Sequence, residues 1–245
     1  MSSLLGVAQR RAKAADASVV LEPLSEPRRD AERRPRGAGT LLQVRGLECV
    51  RRERVLFTDL SFSVEPRAMV QVVGANGSGK TSLLRLLCGL TRPERGEILW
   101  RGESIDEAGG RFQADLAFVG HAPGVKGELS PYENLRLFCR LHGARAGADP
   151  DAALAEAGLA SAADLPLHKL SAGQQRRAAL ARLLITTARL WILDEPLTSL
   201  DTAGVHFVET TVNRHLAGGG AVVMSTHQPF KVTDGNVMRV RLGDV

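Results

Sequence analysis

Gly74-Ala75-Asn76-Gly77-Ser78-Gly79-Lys80-Thr81 is the most informative stretch of this chain. Its spacing is G-x-x-x-x-G-K-[ST], in which glycines let backbone N–H groups approach phosphate and a lysine reaches the β- and γ-phosphates. The pattern needs a strand before it and a helix after it. Residues 69–73 read as a short buried strand and residues 81–90 as a helix, so the context is met. The N-terminus of that helix adds a dipole that favours an anion. Lys80 is then the phosphate contact, Thr81 offers its hydroxyl to Mg2+, and Ser82 supports the α-phosphate.

The flanking sequence alternates strand and helix. Residues 41–44 and 55–64 read as short strands of mixed patterning, and 116–119 as another. Residues 132–141, 151–157 and 172–187 read as helices. Then come a buried strand at 190–193, a helix at 205–216, a buried strand at 221–225 and a closing strand at 236–241. Alternation of this kind predicts an α/β core with a largely parallel sheet. The helical block interrupts it as an insertion, about 122–187.

Composition bounds the class. With 245 residues, 44% hydrophobic and 24% charged, the chain suits one sizeable domain and excludes collagen-like or coiled-coil architectures. No run approaches the ~18 apolar residues of a spanning helix, and the N-terminus lacks the apolar core of a signal peptide. Cys49, Cys88 and Cys139 are too scattered for a disulfide framework or a metal cluster, which favours a reducing compartment. Of the net charge of +5, residues 1–39 supply +3, from eight Lys/Arg and five Asp/Glu. The folded remainder is nearly neutral and only 4% of the chain is aromatic, which argues against a nucleic-acid partner. Residues 1–39, punctuated by Pro23, Pro27 and Pro35, read as a disordered basic extension whose first twenty residues faintly resemble a transit peptide. Residues 40–245 read as the folded domain.

Leu190-Trp191-Ile192-Leu193-Asp194-Glu195 is an apolar strand ending in two acids. An aspartate at the edge of such a strand, beside a phosphate loop, holds Mg2+. The glutamate after it can orient or deprotonate the attacking water. These two motifs alone define a nucleotide phosphohydrolase. Leu170-Ser171-Ala172-Gly173-Gln174-Gln175-Arg176-Arg177 narrows the class. Its Ser171 stands 23 residues before Asp194, at the start of a helical segment, where a hydroxyl and free N–H groups can bind an anion or simply cap the helix.

That run resembles the signature of the ABC ATPase family. Asp201, in Thr198-Ser199-Leu200-Asp201, resembles its D-loop, and His227, after Ser225-Thr226, its switch histidine. The resemblance spans roughly residues 41–242, with the motifs in order. It implies a P-loop NTPase fold with a RecA-like core, an N-terminal antiparallel β subdomain and an inserted helical subdomain. It further implies ATP with Mg2+, a nucleotide-sandwich dimer in which Ser171 and Gly173 complete the other subunit's site, and docking to membrane subunits. In that frame Lys80 and the loop from Gly74 hold phosphate, Thr81 and Asp194 hold Mg2+, Glu195 positions water, and His227 contacts the γ-phosphate.

A narrower resemblance rests on the run from Gly120-His121-Ala122-Pro123 to Leu135, on Leu47 to Phe57, on Thr81 to Gly89, on Leu190 to Pro196, and on Thr226-His227-Gln228. These are similar to the ATP-binding subunits of the haem exporters of cytochrome c biogenesis, the A subunits of the Ccm system. What this implies is an ATPase at the cytoplasmic face of the inner membrane, bound to the integral membrane subunits of the cytochrome c maturation complex. It would power haem export or release of a haem-loaded chaperone. No cysteine here is followed by proline and the histidines do not cluster, so the chain itself shows no haem site.

Two positions depart from the wider ABC pattern. His121 stands where most relatives place the Q-loop glutamine; its position between core and helical block suits a sensor, and imidazole changes charge near neutrality. The usual adenine-stacking aromatic is missing from Cys49-Val50-Arg51-Arg52, where the guanidinium of Arg51 is the candidate substitute. Two other readings are the ATPase of another small ABC exporter and a soluble nucleotide-dependent switch. Against the switch, no Asn-Lys-x-Asp base-reading motif is present, and both Glu195 and the signature are retained.

Overall fold

The computed structural model describes residues 19–23, 39–122, 124–233 and 235–243. In chain order the strands are β1 (Val19–Pro23), β2 (Leu42–Arg51), β3 (Arg54–Val64), β4 (Ala68–Gly74), β5 (Arg95–Trp100), β6 (Glu103–Ser104), β7 (Leu116–Val119), β8 (Leu190–Asp194), β9 (Ala221–Ser225) and β10 (Asn236–Leu242). The helices are α1 (Lys80–Leu87), α2 (Ile105–Ala108), α3 (Gly110–Asp115), α4 (Pro131–His142), α5 (Pro150–Glu156), α6 (Ala172–Ala181) and α7 (Thr202–Ala217).

The main sheet has the order β1-β10-β4-β9-β8-β7. All its pairings are parallel except that of β1, which runs antiparallel to β10. A parallel sheet is covered on both faces, so its strands read as continuous apolar runs. In β8 and β9 every residue is buried. Trp191, Leu193, Val222 and Met224 pack toward α6 and α7, while Leu190, Ile192, Ala221 and Val223 join the layer containing α1. A second, antiparallel sheet of order β3-β2-β5-β6 closes over that layer, contributing Phe57, Leu60, Phe62 and Trp100 to its core. Helices α4, α5 and α6 lie between β7 and β8. The first of these is fixed by a capping box, with Ser130 and Glu133 each satisfying the other's backbone N–H.

Several elements depart from the sequence reading. The strand β1 falls inside the segment expected to be disordered. Glu22 lies 3.7 Å from Arg239 and 3.6 Å from Arg241, and Val19 packs on the core, so these five residues extend the sheet rather than a tail. The rest of the extension, residues 1–18 and 24–38, with the transit-like reading, lies outside the described residues. The helix after the phosphate loop stops at Leu87 instead of residue 90, because Gly89 turns the chain at φ 70°. The helix expected over 172–187 ends at Ala181 and tightens into a 3-10 turn over Arg182–Leu184. Leu183, Leu184 and Ile185 are all buried and join the same core as Ala178, Leu180 and Ala181. The hairpin β5–β6 and the short helices α2 and α3 were not foreseen.

Candidate active site

The carboxyl ends of the parallel strands form the crevice where such sheets bind ligands. Strand β4 ends in the glycine-rich loop, and α1 opens at Lys80. Gly74 is required there, because a Cβ would collide with the Leu242 carbonyl and the Ser78 hydroxyl. A cleft of about 450 Å3 opens beside the loop. It is lined by Asn76, Gly77, Gly79, Lys80, Thr81 and Ser82 from loop and helix, by Asp194, Glu195 and Thr198 after β8, and by Leu56, His121 and His227. The phosphate loop, the acidic strand end, His121 and His227 thus meet in one cavity.

Lys80 is 8% exposed, and its Nζ donates to the carbonyls of Gly74 at 2.8 Å and Ala75 at 3.1 Å. Burial pulls its pKa down, opposed by the negative charges of Glu195 and Asp194. The hydroxyl of Ser78 is buried without a hydrogen-bond partner.

Asp194 is the buried anchor of the acidic end. Its Oδ2 accepts from Thr81 Oγ1 at 2.9 Å, and its Oδ1 accepts from Ser225 Oγ at 2.7 Å. The Thr81–Asp194 pair, one hydroxyl and one carboxylate in contact beside the phosphate loop, is an oxygen donor set suited to Mg2+. Glu195 follows with φ 49°, a left-handed conformation that costs a non-glycine residue ~1–2 kcal/mol. Its N–H donates to Ser225 Oγ at 2.9 Å, and its Oε1 lies 3.3 Å from His227 Nε2. The twist carries the glutamate out of the sheet and over the cleft, beside the histidine.

Arg176 holds this turn from behind. The residue is 4% exposed on α6. Its Nη2 donates to the carbonyls of Asp194 at 2.8 Å and Glu195 at 2.9 Å, its Nε to Pro196 at 3.3 Å, and its Nη1 to Gly120 at 2.7 Å. Burial lowers its pKa, and the charges of Asp194 and Glu195 oppose that shift.

His121 lines the cleft. Ser171 and Gly173 do not line it. Ser171 forms a capping box with Gln174, and a Cβ on Gly173 would sit 2.7 Å from the Ser199 carbonyl, so the signature packs against the D-loop. Asp201 caps α7 by accepting from Gly204 N at 2.8 Å. Arg51 is exposed at the end of β2 and does not line the cleft. Leu56, one turn of hairpin away, lies over the loop instead, close to Gly79. Leu56, Thr198, Ser225 and the role of Arg176 were missed by the sequence reading.

A strand–loop–helix phosphate cradle, a buried aspartate and a glutamate–histidine pair in one cleft define a P-loop nucleotide hydrolase. The family model described as ABC transporter matches residues 57–198. The chain is 46% identical to a cytochrome c biogenesis ATP-binding export protein, CcmA, of Escherichia coli O157:H7, over 82% of this chain and 96% of that one. It is 51% identical to the CcmA of Nitrosomonas europaea, over 77% of this chain and 89% of that one. Among solved structures it resembles a dimeric ABC cassette in a post-hydrolysis state with ADP and Pi, with a TM-score of 0.66, 22% identity, and coverage of 77% and 88%. The chain belongs to the ABC transporter ATP-binding family, in company with the CcmA proteins, and is an ATPase.

Proposed function

We propose that this chain is the ATP-hydrolysing subunit of a membrane ABC complex for cytochrome c maturation, powering haem export or release of the haem-loaded chaperone. The observation that carries the assignment is its match to CcmA proteins along nearly their whole length, in a chain whose hydrolytic side chains meet in one cleft.

The chemistry is phosphoryl transfer to water, in which positioning and electrostatics dominate. Lys80 exchanges its carbonyl partners for β- and γ-phosphate oxygens, and the loop N–H groups take the rest of the charge. Glu195 orients a water and receives its proton as the water oxygen bonds to the γ-phosphorus and the bond to ADP breaks. His227, held by Glu195, contacts the γ-phosphate. Thr81 and Asp194 would hold Mg2+, which supplies charge neutralisation to the phosphates.

Ser171 and Gly173 face away from this chain's own cleft, which supports a sandwich dimer in which they complete the opposite site. Docking to membrane subunits is supported by a groove of about 180 Å3 beside α4, lined by Gly124, Val125, Phe138 and Leu141, with Leu141 69% exposed. Its Gly124 and Val125 follow His121 of the nucleotide cleft by three and four positions in the chain, which makes this stretch the proposed link between nucleotide state and docking. No helix among the described residues is long and apolar enough to cross a membrane; in the proposed complex the chain attaches peripherally at the cytoplasmic face, through its membrane subunits.

The test is Glu195→Gln as the only copy in cells. The amide keeps the shape and loses the charge that orients water. Nucleotide binding and membrane fractionation should persist, hydrolysis should fall ~10²-fold or more, and holocytochrome c should be lost. Normal holocytochrome c with hydrolysis abolished would overturn the maturation assignment and leave the ATPase standing.

A further inference from the structure

We infer that Arg176 is a positioning residue for hydrolysis, which sets the catalytic glutamate in its left-handed turn and ties that turn to the His121 loop. The inference rests on the reading of Glu195 as the water-orienting carboxylate. It adds a residue outside the cleft, on the helical insertion, that acts only through backbone.

Its geometry is specific. The one guanidinium donates to three successive carbonyls, those of Asp194, Glu195 and Pro196. It thereby fixes the peptide planes on both sides of Glu195. A non-glycine residue at φ 49° persists only where its surroundings over-determine it. From the front, Ser225 accepts the Glu195 N–H; from behind, Arg176 holds its carbonyl. The fourth bond, to Gly120, holds the peptide that leads directly into His121. A movement of the His121 loop is therefore a movement of an anchor of the Glu195 turn.

The neighbour Arg177 makes no such contacts. Its Nη1 points to the carbonyls of Ala157 and Gly158, at 3.4 and 3.5 Å, within the helical insertion. Only a planar fork with separated donors spans four carbonyls; a lysine ammonium at the same place is a single point with three donors. Lysine preserves the buried charge that Asp194 and Glu195 balance, and removes the fork.

The experiment is Arg176→Lys in the full-length chain, with hydrolysis rates counted per bound mant-ATP so that unfolded protein drops out. The expected result is a kcat ~10-fold lower or more, since small misplacement of a catalytic group is that expensive, with mant-ATP Kd within ~2-fold. Groups that act as a unit are non-additive. Arg176→Lys should therefore change little when added to Glu195→Gln. Wild-type kcat in Arg176→Lys would overturn the inference. So would a loss in the double variant equal to the product of the two single losses, because Arg176 would then act independently of the glutamate. If Glu195→Gln itself hydrolyses normally, the reading of Glu195 fails first and is identified by that variant alone.

Discussion

A chain that begins at residue 24 loses β1 and tests whether the amino-terminal strand is an addition to the sheet or part of its foundation. Five residue pairs join β1 to β10, from Val19 with Leu242 to Pro23 with Met238. Their backbone hydrogen bonds are worth ~0.5–1.5 kcal/mol each, and ordering the same residues costs ~1–2 kcal/mol apiece, so the ladder roughly cancels. The bonds from Glu22 to Arg239 and Arg241 are long and partly solvated, and such pairs contribute ~0–1 kcal/mol. What remains is the packing of partly buried Val19, ~1 kcal/mol. The net loss is then ~1–2 kcal/mol, and for a chain of this size that is a fall in Tm of ~2–8 °C. The effect on function should be small but present. Strand β10 ends at Leu242, whose carbonyl lies against Gly74 at the mouth of the phosphate loop. We expect mant-ATP affinity within ~3-fold of the full chain. Thermal unfolding and mant-ATP titration of the two chains provide the comparison. A fall beyond ~15 °C, or an insoluble product, would refute the cancellation and make β1 integral to the core.

Three further outcomes follow from single residues. Arg51→Ala should leave mant-ATP affinity unchanged, whereas Leu56→Ala should weaken it ~5-fold for the loss of ~1 kcal/mol of apolar contact; the reverse order would restore Arg51 as the adenine contact. His215, stacked on Trp191 with ring centroids 3.7 Å apart, has its pKa pushed down to about 4 by burial. The unfolded chain then binds the extra proton first, so its contribution is full above ~6.5 and disappears as the pH falls toward 4, up to ~3 kcal/mol in all. Urea unfolding at pH 7.5 and pH 5 should show this decline in the wild type and a shallower one in His215→Gln; parallel declines would exclude His215 as the source.

What the sequence disclosed and what it withheld divide along a physical line. The phosphate loop, the acidic strand end and the signature each pack their chemistry into a few consecutive residues, because each is one turn at the end of one element. The phosphate loop and the acidic strand end pointed to Lys80, Thr81, Asp194 and Glu195, the family resemblance added His227, and all five line one cleft. The parallel core was legible for a similar reason: strands buried on both faces must be apolar throughout, as 190–193 and 221–225 are. The missed features depend on partners distant in the chain. Val19–Pro23 is a strand only because β10 offers it an open edge and Arg239 and Arg241 meet Glu22. Arg51 and Leu56 share a hairpin, and which of them reaches the cleft is set by how that hairpin crosses the phosphate loop. Arg176 and Arg177 are chemically identical neighbours, yet α6 turns the first toward β8 and the second toward Ala157 and Gly158. The difference of one position is about 100° around the helix. It separates a residue that holds the catalytic turn from one that braces the insertion, and the signature motif, read as letters, treats them alike.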